Sequence, residues 1–185
     1  MTVIRRANLT DVEALGALAR RTWREMSVLD FAMPYREKDM AIFETQKSSD
    51  TVIKSRILDQ EQSVWVADDG GQLIGYADAG FCDLPHVGVA PNDMELNRLY
   101  VSRDRQGQGY GKRLMDAALD WMATRSTGPQ WIGVWSGNLR AQRLYRTYGF
   151  EKVGEYDFPI GEWIDRDFIL RRPSPISSRQ DGHSR

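Results

Sequence analysis

The residues best suited to chemistry are Gln106, Gly107, Gln108, Gly109, Tyr110 and Gly111, flanked by Arg103, Arg105, Lys112 and Arg113. Glycines at alternate positions let backbone amides approach a bulky anion without Cβ clashes, and a helix opening from such a run adds the positive end of its dipole. The chemistry that follows is the holding of a diphosphate. Two common phosphate motifs do not fit. A dinucleotide fingerprint needs its last glycine at position 112, which is Lys112, and a P-loop needs Ser or Thr after the lysine, where Arg113 stands. Alone, the run fits either an anion cradle or a glycine-rich connection with a solvated basic face.

Other reactive side chains are few. Cys82 has no second cysteine to pair with, and with only His86 and His183 beside it no Cys/His zinc set exists, so metal-free chemistry is expected. His86 lies in a Pro/Gly-rich loop and His183 in a polar tail, so both read as solvated loop histidines.

Positioning the glycine run requires a strand before it and a helix after it. Met94 to Ser102 alternates Leu96, Arg98 and Tyr100 against Asn97, Leu99 and Val101, which predicts the strand. Leu114, Met115, Ala118, Leu119 and Met122 share one helical face, which predicts a helix from about Gly109 to Thr124. Upstream, Thr2 to Arg6 reads as a strand and Thr10-Asp11-Val12-Glu13 as a capping box. Val12, Leu15, Leu18, Ala19 and Trp23 then form the buried stripe of a helix. Met26 to Ile57 reads as one or two short helices around a loop. Gln62 to Ala67 and Gln72 to Ala79 flank the turn Asp68-Asp69-Gly70-Gly71 and predict a hairpin. Phe81 to Asp93, broken by Pro85, Gly88 and Pro91, reads as a loop. Trp131 to Trp135 is the next strand. Asn138 then caps a helix that carries Ala141, Leu144, Tyr145 and Tyr148 on one stripe and stops at Gly149. Phe150 to Tyr156 and Asp165 to Arg171 are the last strands. The order predicts a mixed α/β domain over 1–172, and the Pro-, Ser- and Arg-rich residues 173–185 read as a flexible tail.

The chain has 185 residues, enough for one domain with a sizeable core. No stretch approaches the ~18 uncharged apolar residues of a membrane span. The start lacks an apolar signal core, so a cytoplasmic location and no membrane role are expected. Lys plus Arg number 25 against 26 Asp plus Glu, a net charge of -1, which provides no global field for nucleic acid.

Two blocks carry a family resemblance. Glu95-Leu96-Asn97-Arg98-Leu99-Tyr100-Val101, followed by Gln106-x-x-Gly109-x-Gly111 and the Leu114-Met115 helix, resembles the acetyl-CoA signature of the GNAT superfamily of N-acetyltransferases. Trp131 to Trp135, then Asn138, Ala141, Leu144-Tyr145 and Tyr148-Gly149-Phe150, resembles its second signature. The resemblance implies the GNAT fold: a mixed, mostly antiparallel sheet of about seven strands, splayed in the middle and flanked by about four helices. It implies acetyl-CoA as cosubstrate. The backbone of Leu99, Tyr100 and Val101 would take the pantetheine arm. Gln106, Gly107, Gln108, Gly109, Tyr110, Gly111 and Lys112 would take the pyrophosphate, and Asn138 would touch the cofactor from the second helix. It further implies Tyr145 as general acid to the departing thiolate and Glu95 as the base for the amine, with a backbone N–H of Leu99 to Val101 stabilising the oxyanion. The residues themselves leave Tyr145 open as a core aromatic and Glu95 as a solvated strand end.

Thr22-Trp23-Arg24-Glu25 and Gly149 to Gly161 are similar to PaiA-type polyamine acetyltransferases, which implies spermidine or spermine as acceptor. Glu25, Asp30, Glu37, Asp39 and Glu44 would then border an acidic cleft. Trp23, Glu25 and Trp135 are the candidate acceptor contacts, though aromatics at such spacing fit the core equally. Gly161-Glu162-Trp163 departs from the subfamily pattern. A protein N-terminus, a protein lysine or an aminoglycoside therefore stays open as acceptor, as does a non-catalytic CoA-binding module. Members of the superfamily often pair, which implies a homodimer.

Overall fold

The computed structural model describes residues 1–173. The expected flexible tail lies, beyond Pro173, outside the described residues. The strands are β1 (Thr2–Arg6), β2 (Ser63–Asp69), β3 (Gln72–Phe81), β4 (Met94–Val101), β5 (Gln130–Trp135), β6 (Glu151–Ile160) and β7 (Trp163–Arg172). The helices are α1 (Val12–Arg24), α2 (Glu37–Ser48), α3 (Asp50–Leu58), α4 (Tyr110–Arg125) and α5 (Leu139–Thr147). One sheet runs in the order β1-β2-β3-β4-β5-β7-β6, and its neighbours are antiparallel except β4 and β5.

The first helix is entered differently from the sequence expectation. Asn8, not Thr10, forms the capping box: its Oδ1 accepts from the Thr10 amide at 2.9 Å, and its own amide donates to Asp11 at 2.8 Å. A 3₁₀ turn thus precedes α1 and places the cap two positions earlier. At its other end α1 runs into a π-helical turn, Glu25–Asp30, followed by Ala32 at a positive φ of 48°. The ambiguous stretch that follows forms α2 and α3.

Between β3 and β4 the register jumps from Asp78↔Arg98 to Ala79↔Leu96, which leaves Asn97 as a bulge. The bulge resets the side-chain alternation. Leu96 shares a face with Leu99 and Val101 in the α4-side core, and not with Arg98 and Tyr100 as simple alternation predicts. Beyond the bulge β4 also parts from β5. The parallel pairing consists of Met94↔Gln130 and Glu95↔Trp131 and goes no further, so a gap opens from Leu96 onward.

The core is layered on both faces of the sheet. Leu114, Met115, Ala118 and Met122 of α4 are fully buried against Ile74, Leu96 and Ile132. Each Leu or Met side chain buried in this way stabilises by ~1.5 to 3 kcal/mol. On the opposite face Leu15, Leu18 and Ile53 of α1 and α3 pack on Val64, Val66 and Tyr76. The α4 layer holds the glycine run against the end of β4, and the α1 to α3 layer roofs the other side of the gap.

Candidate active site

The split of β4 from β5 is the geometric centre around which the sequence candidates fall. The helix α4 starts from Gly109, which is left-handed at φ 85° and follows Gly107 at φ 80°. A Cβ on Gly107 or Gly109 would meet nothing within 4 Å, so the space before the helix is open. Arg113 donates to the Gly109 carbonyl at 3.2 Å, and the Gly107 to Lys112 amides have no partner among the described residues. These amides and the helix dipole converge on one point, which is what an anion requires.

Not every residue of the run faces that point. The Gln106 amide donates to Arg103 at 3.4 Å, its side-chain Nε2 donates to Val101 at 3.0 Å, and its Oε1 accepts from Arg140 of α5. Gln106 therefore ties the end of β4 to α5 across the gap. Gln108 donates to the Asp104 carbonyl at 3.4 Å. The Tyr110 hydroxyl accepts from Thr2 at 3.1 Å, so its side chain pins the loop to β1 while its amide stays free. Lys112 is exposed. Asn138 caps α5, its Oδ1 accepting from Ala141 at 3.0 Å. Leu99, Tyr100 and Val101 pair with Ala77, Tyr76 and Gly75 of β3 and leave their other edge to the gap.

Glu95 sits at the apex of the split, 6% exposed, paired with Trp131 on one side and Gly80 on the other. Its Oε2 accepts from the Asp83 amide at 3.3 Å. Burial, with Asp83 alongside, pushes its carboxyl up to about 8. Tyr145 projects from α5 into the core below the gap, 7% exposed and edge-on to Phe150 at 6.4 Å. Burial, with Tyr100 nearby, raises its phenol above the ordinary range, and its hydroxyl has no partner among the described residues. Cys82 is protonated: burial, with Glu95 and Asp83 near, lifts its thiol to about 12.

The acceptor candidates fare differently. Trp23 is buried with Met40 and Ile160 and stacks on Phe43 at 4.6 Å and on Tyr35 at 5.8 Å, as a core aromatic does. Glu25 accepts from the Arg103 amide at 3.0 Å and pairs with Arg21 at 3.7 Å, which organises the turn leaving β4. Trp135 ends β5 at the gap and packs on Phe31 at 4.7 Å. The acidic rim read from sequence is matched by arginines: Glu37 and Glu44 by Arg24, Asp39 by Arg36, and Asp30 by Arg103.

Sequence reasoning missed four residues on the same face. Tyr35 donates to Asp165, and Asp167 lies beside them on β7 with Tyr156 across on β6. Burial, with Asp165 beside it, raises Asp167 to about 7. A signal existed: Asp165-x-Asp167 puts two acids on the same face of the strand as Ile169.

Residues 20–150 match the family model described as the acetyltransferase (GNAT) family. The chain belongs to that family. Among GNAT relatives, an uncharacterised N-acetyltransferase from the pepI 3′ region of Lactobacillus delbrueckii subsp. lactis is 25% identical over 162 residues, 88% of this chain and 91% of the relative. The crystal structure of the PaiA N-acetyltransferase of Thermoplasma acidophilum in complex with coenzyme A has a TM-score of 0.72 at 21% identity, covering 94% of this chain and 99% of that one. A putative acetyltransferase, yncA, from Salmonella typhimurium with its cofactor acetyl-CoA has a TM-score of 0.64 at 22% identity, covering 92% of each chain. These structures share the GNAT fold with its seven-stranded mixed sheet. Among the described residues no helix is long and apolar enough to cross a membrane.

Proposed function

We propose that this GNAT acetyltransferase moves the acetyl group of acetyl-CoA to a primary amine by direct attack, with a polyamine such as spermidine or spermine as acceptor. The observation that carries the reading is the split itself: unpartnered amides at its α4 end, and a buried, protonatable Glu95 at its apex. Acetyl-CoA supplies an acetyl group activated as a thioester. The Gly107 to Lys112 amides bind the diphosphate, and the free edge of β4 from Leu96 to Val101 offers N–H and C=O groups to an extended amide-bearing arm. Gln106 acts by holding β4 to α5, and Asn138 by capping α5. An N–H of the same β4 edge faces the thioester oxygen as charge develops there. Glu95 takes a proton from the amine, and Tyr145 gives one to the leaving sulfur. The high thiol pKa of Cys82 argues against a covalent acetyl-enzyme.

For the acceptor, support comes from the inner face and not from the rim. The rim acids are paired with arginines, whereas Asp167 and Glu95 form no ion pair among the described residues. A cationic amine complements them.

A thiol-release assay with acetyl-CoA against spermidine, spermine, an aminoglycoside, a lysine peptide and N-terminal peptides tests this. Release with the polyamines is expected. Binding of CoA without release from any amine would make the chain a non-catalytic module, and release with the peptides alone would overturn the polyamine assignment.

The loop gives a separate expectation. In Gly109→Val the new side chain finds open space but an unfavourable positive φ, and it stands where the diphosphate approaches. Calorimetry is expected to show CoA affinity lower by ~10-fold or more, with the thermal midpoint falling by only a few degrees.

A further inference from the structure

On the α3 side of the sheet, three cations crowd round one buried acid. Asp78 of β3 is 2% exposed and accepts from Arg98 Nη1 of β4 at 3.1 Å and 3.3 Å. Arg56, in the last turn of α3, brings its Nη1 to 3.9 Å from the same carboxylate, beyond hydrogen-bond reach. The Arg56 side chain is 11% exposed, and its Nη1 is buried without a hydrogen-bond partner among the described residues. A guanidinium held out of water in this way is costly unless an acceptor serves it. Lys47 of α2 is near enough to feel both arginines. Burial, and then the Arg98 charge, hold Arg56 below the ordinary arginine range, and burial, then Arg98 and Arg56, lower Lys47 in the same way. One carboxylate is shared among three cations, and Arg98 takes its hydrogen bonds.

Arg56 and Arg98 open on a cleft of about 290 Å³ between the end of α3, the end of β3 and the β4 bulge. Asn97, the bulge residue, lines it as well and has side-chain N–H groups to give. None of its lining residues belongs to the glycine run, α4 or α5. Three acids also border the cleft. The Asp59 carboxylate accepts from Gln62 Nε2 at 2.7 Å and from the Glu61 amide at 2.8 Å, while Glu61 and Asp83 are exposed, where water and salt screen their charge. Asp83 also favours the charged form of Lys47. The buried groups therefore set two guanidinium charges against one carboxylate.

We propose that Arg56 and Arg98 together bind one small oxyanion in this cleft, a carboxylate or a phosphate, at a site separate from the acetyl-transfer site. A guanidinium presents paired N–H groups whose spacing matches two oxygens of either anion. The anion adds a second negative charge to the cluster and gives the Arg56 guanidinium an acceptor within hydrogen-bond reach, which Asp78 at 3.9 Å is not. The size of the cleft suits a molecule such as malonate or inorganic phosphate and not a nucleotide.

The test is calorimetric titration of the chain, with CoA present to occupy the glycine run, by malonate and separately by inorganic phosphate at constant ionic strength. Saturable binding of at least one of them, one anion per chain with a Kd of ~1 mM or tighter, is expected. Binding of malonate alone, of phosphate alone or of both identifies which oxyanion the cleft takes. Arg56→Met is expected to weaken the binding by ~10-fold or more, which assigns the heat to the cleft and not to the glycine run. Its thermal midpoint without anion is expected to stay within ~2 degrees of the unaltered chain or to rise, because Asp78 keeps Arg98. If Arg56 serves only to pair Asp78, the midpoint falls and the unaltered chain binds neither anion. Asn97→Asp sets a negative charge at the cleft in a side chain of the same shape and is expected to weaken the anion as well. It decides the matter if Arg56→Met does not fold. Absence of saturable binding by either anion, or an affinity unchanged in either variant that folds, overturns the proposal and leaves the acetyl-transfer reading untouched.

Discussion

Glu95→Gln is expected to lower kcat with amine acceptors by ~10² or more, the ordinary contribution of a positioned base. The amide keeps the acceptor oxygen for the Asp83 N–H, so the variant is expected to fold and to bind CoA as before. The pH dependence carries the more specific signature. A base works when ionised, and burial beside Asp83 holds Glu95 protonated up to about pH 8. The kcat/KM of the unaltered protein is therefore expected to rise through about pH 8, and that rise is expected to vanish in Glu95→Gln. Stability has the opposite sign. The unfolded chain releases this proton near ~4.3, whereas the folded chain keeps it to about 8. Across that window the folded state binds more protons, so stability falls as pH rises. Denaturant unfolding at pH 5 and pH 9 is expected to show a smaller loss in Glu95→Gln than in the unaltered protein. An unchanged profile and an unchanged slope would leave Glu95 as a strand residue without a part in the chemistry.

Tyr145→Phe is expected to cut kcat by ~10² with CoA affinity within ~2-fold. The structural consequences of the change are small, because the hydroxyl has no partner among the described residues that would be orphaned by its loss. The ring keeps its edge-on contact with Phe150 and its place in the α4-side core. Burial raises the phenol, so it carries its proton at neutral pH and has it to donate. The same dry surroundings raise the affinity of the leaving thiolate for a proton, whose ordinary value is ~8.5, which makes donation from a phenol feasible. A variant that loses thermal stability while turning over normally would return Tyr145 to the core.

Much of the architecture was legible because it depends on local periodicity. The α4 stripe of Leu114, Met115, Ala118, Leu119 and Met122, the Gly70-Gly71 hairpin and the Asn138 cap are each decided within about a dozen residues, where side-chain spacing and backbone φ speak directly. The glycine run was legible for the same reason: Gly107 and Gly109 are left-handed because no other residue type enters that region so cheaply.

The acceptor side was not legible, since it is assembled from distant segments. Glu25, Glu37, Asp39 and Glu44 look alike in sequence to Asp167, and only folding brings an arginine to each of the first group and, among the described residues, none to the last. The Asn97 bulge is likewise invisible to a count of alternating residues, because it arises from how β4 registers against β3. The local pattern of residues by itself determined a glycine turn between a strand and a helix, and thereby where free amides and the helix dipole converge. Which carboxylates remain without an ion pair among the described residues was decided by tertiary structure alone, because pairing and burial are set by strands far apart along the chain.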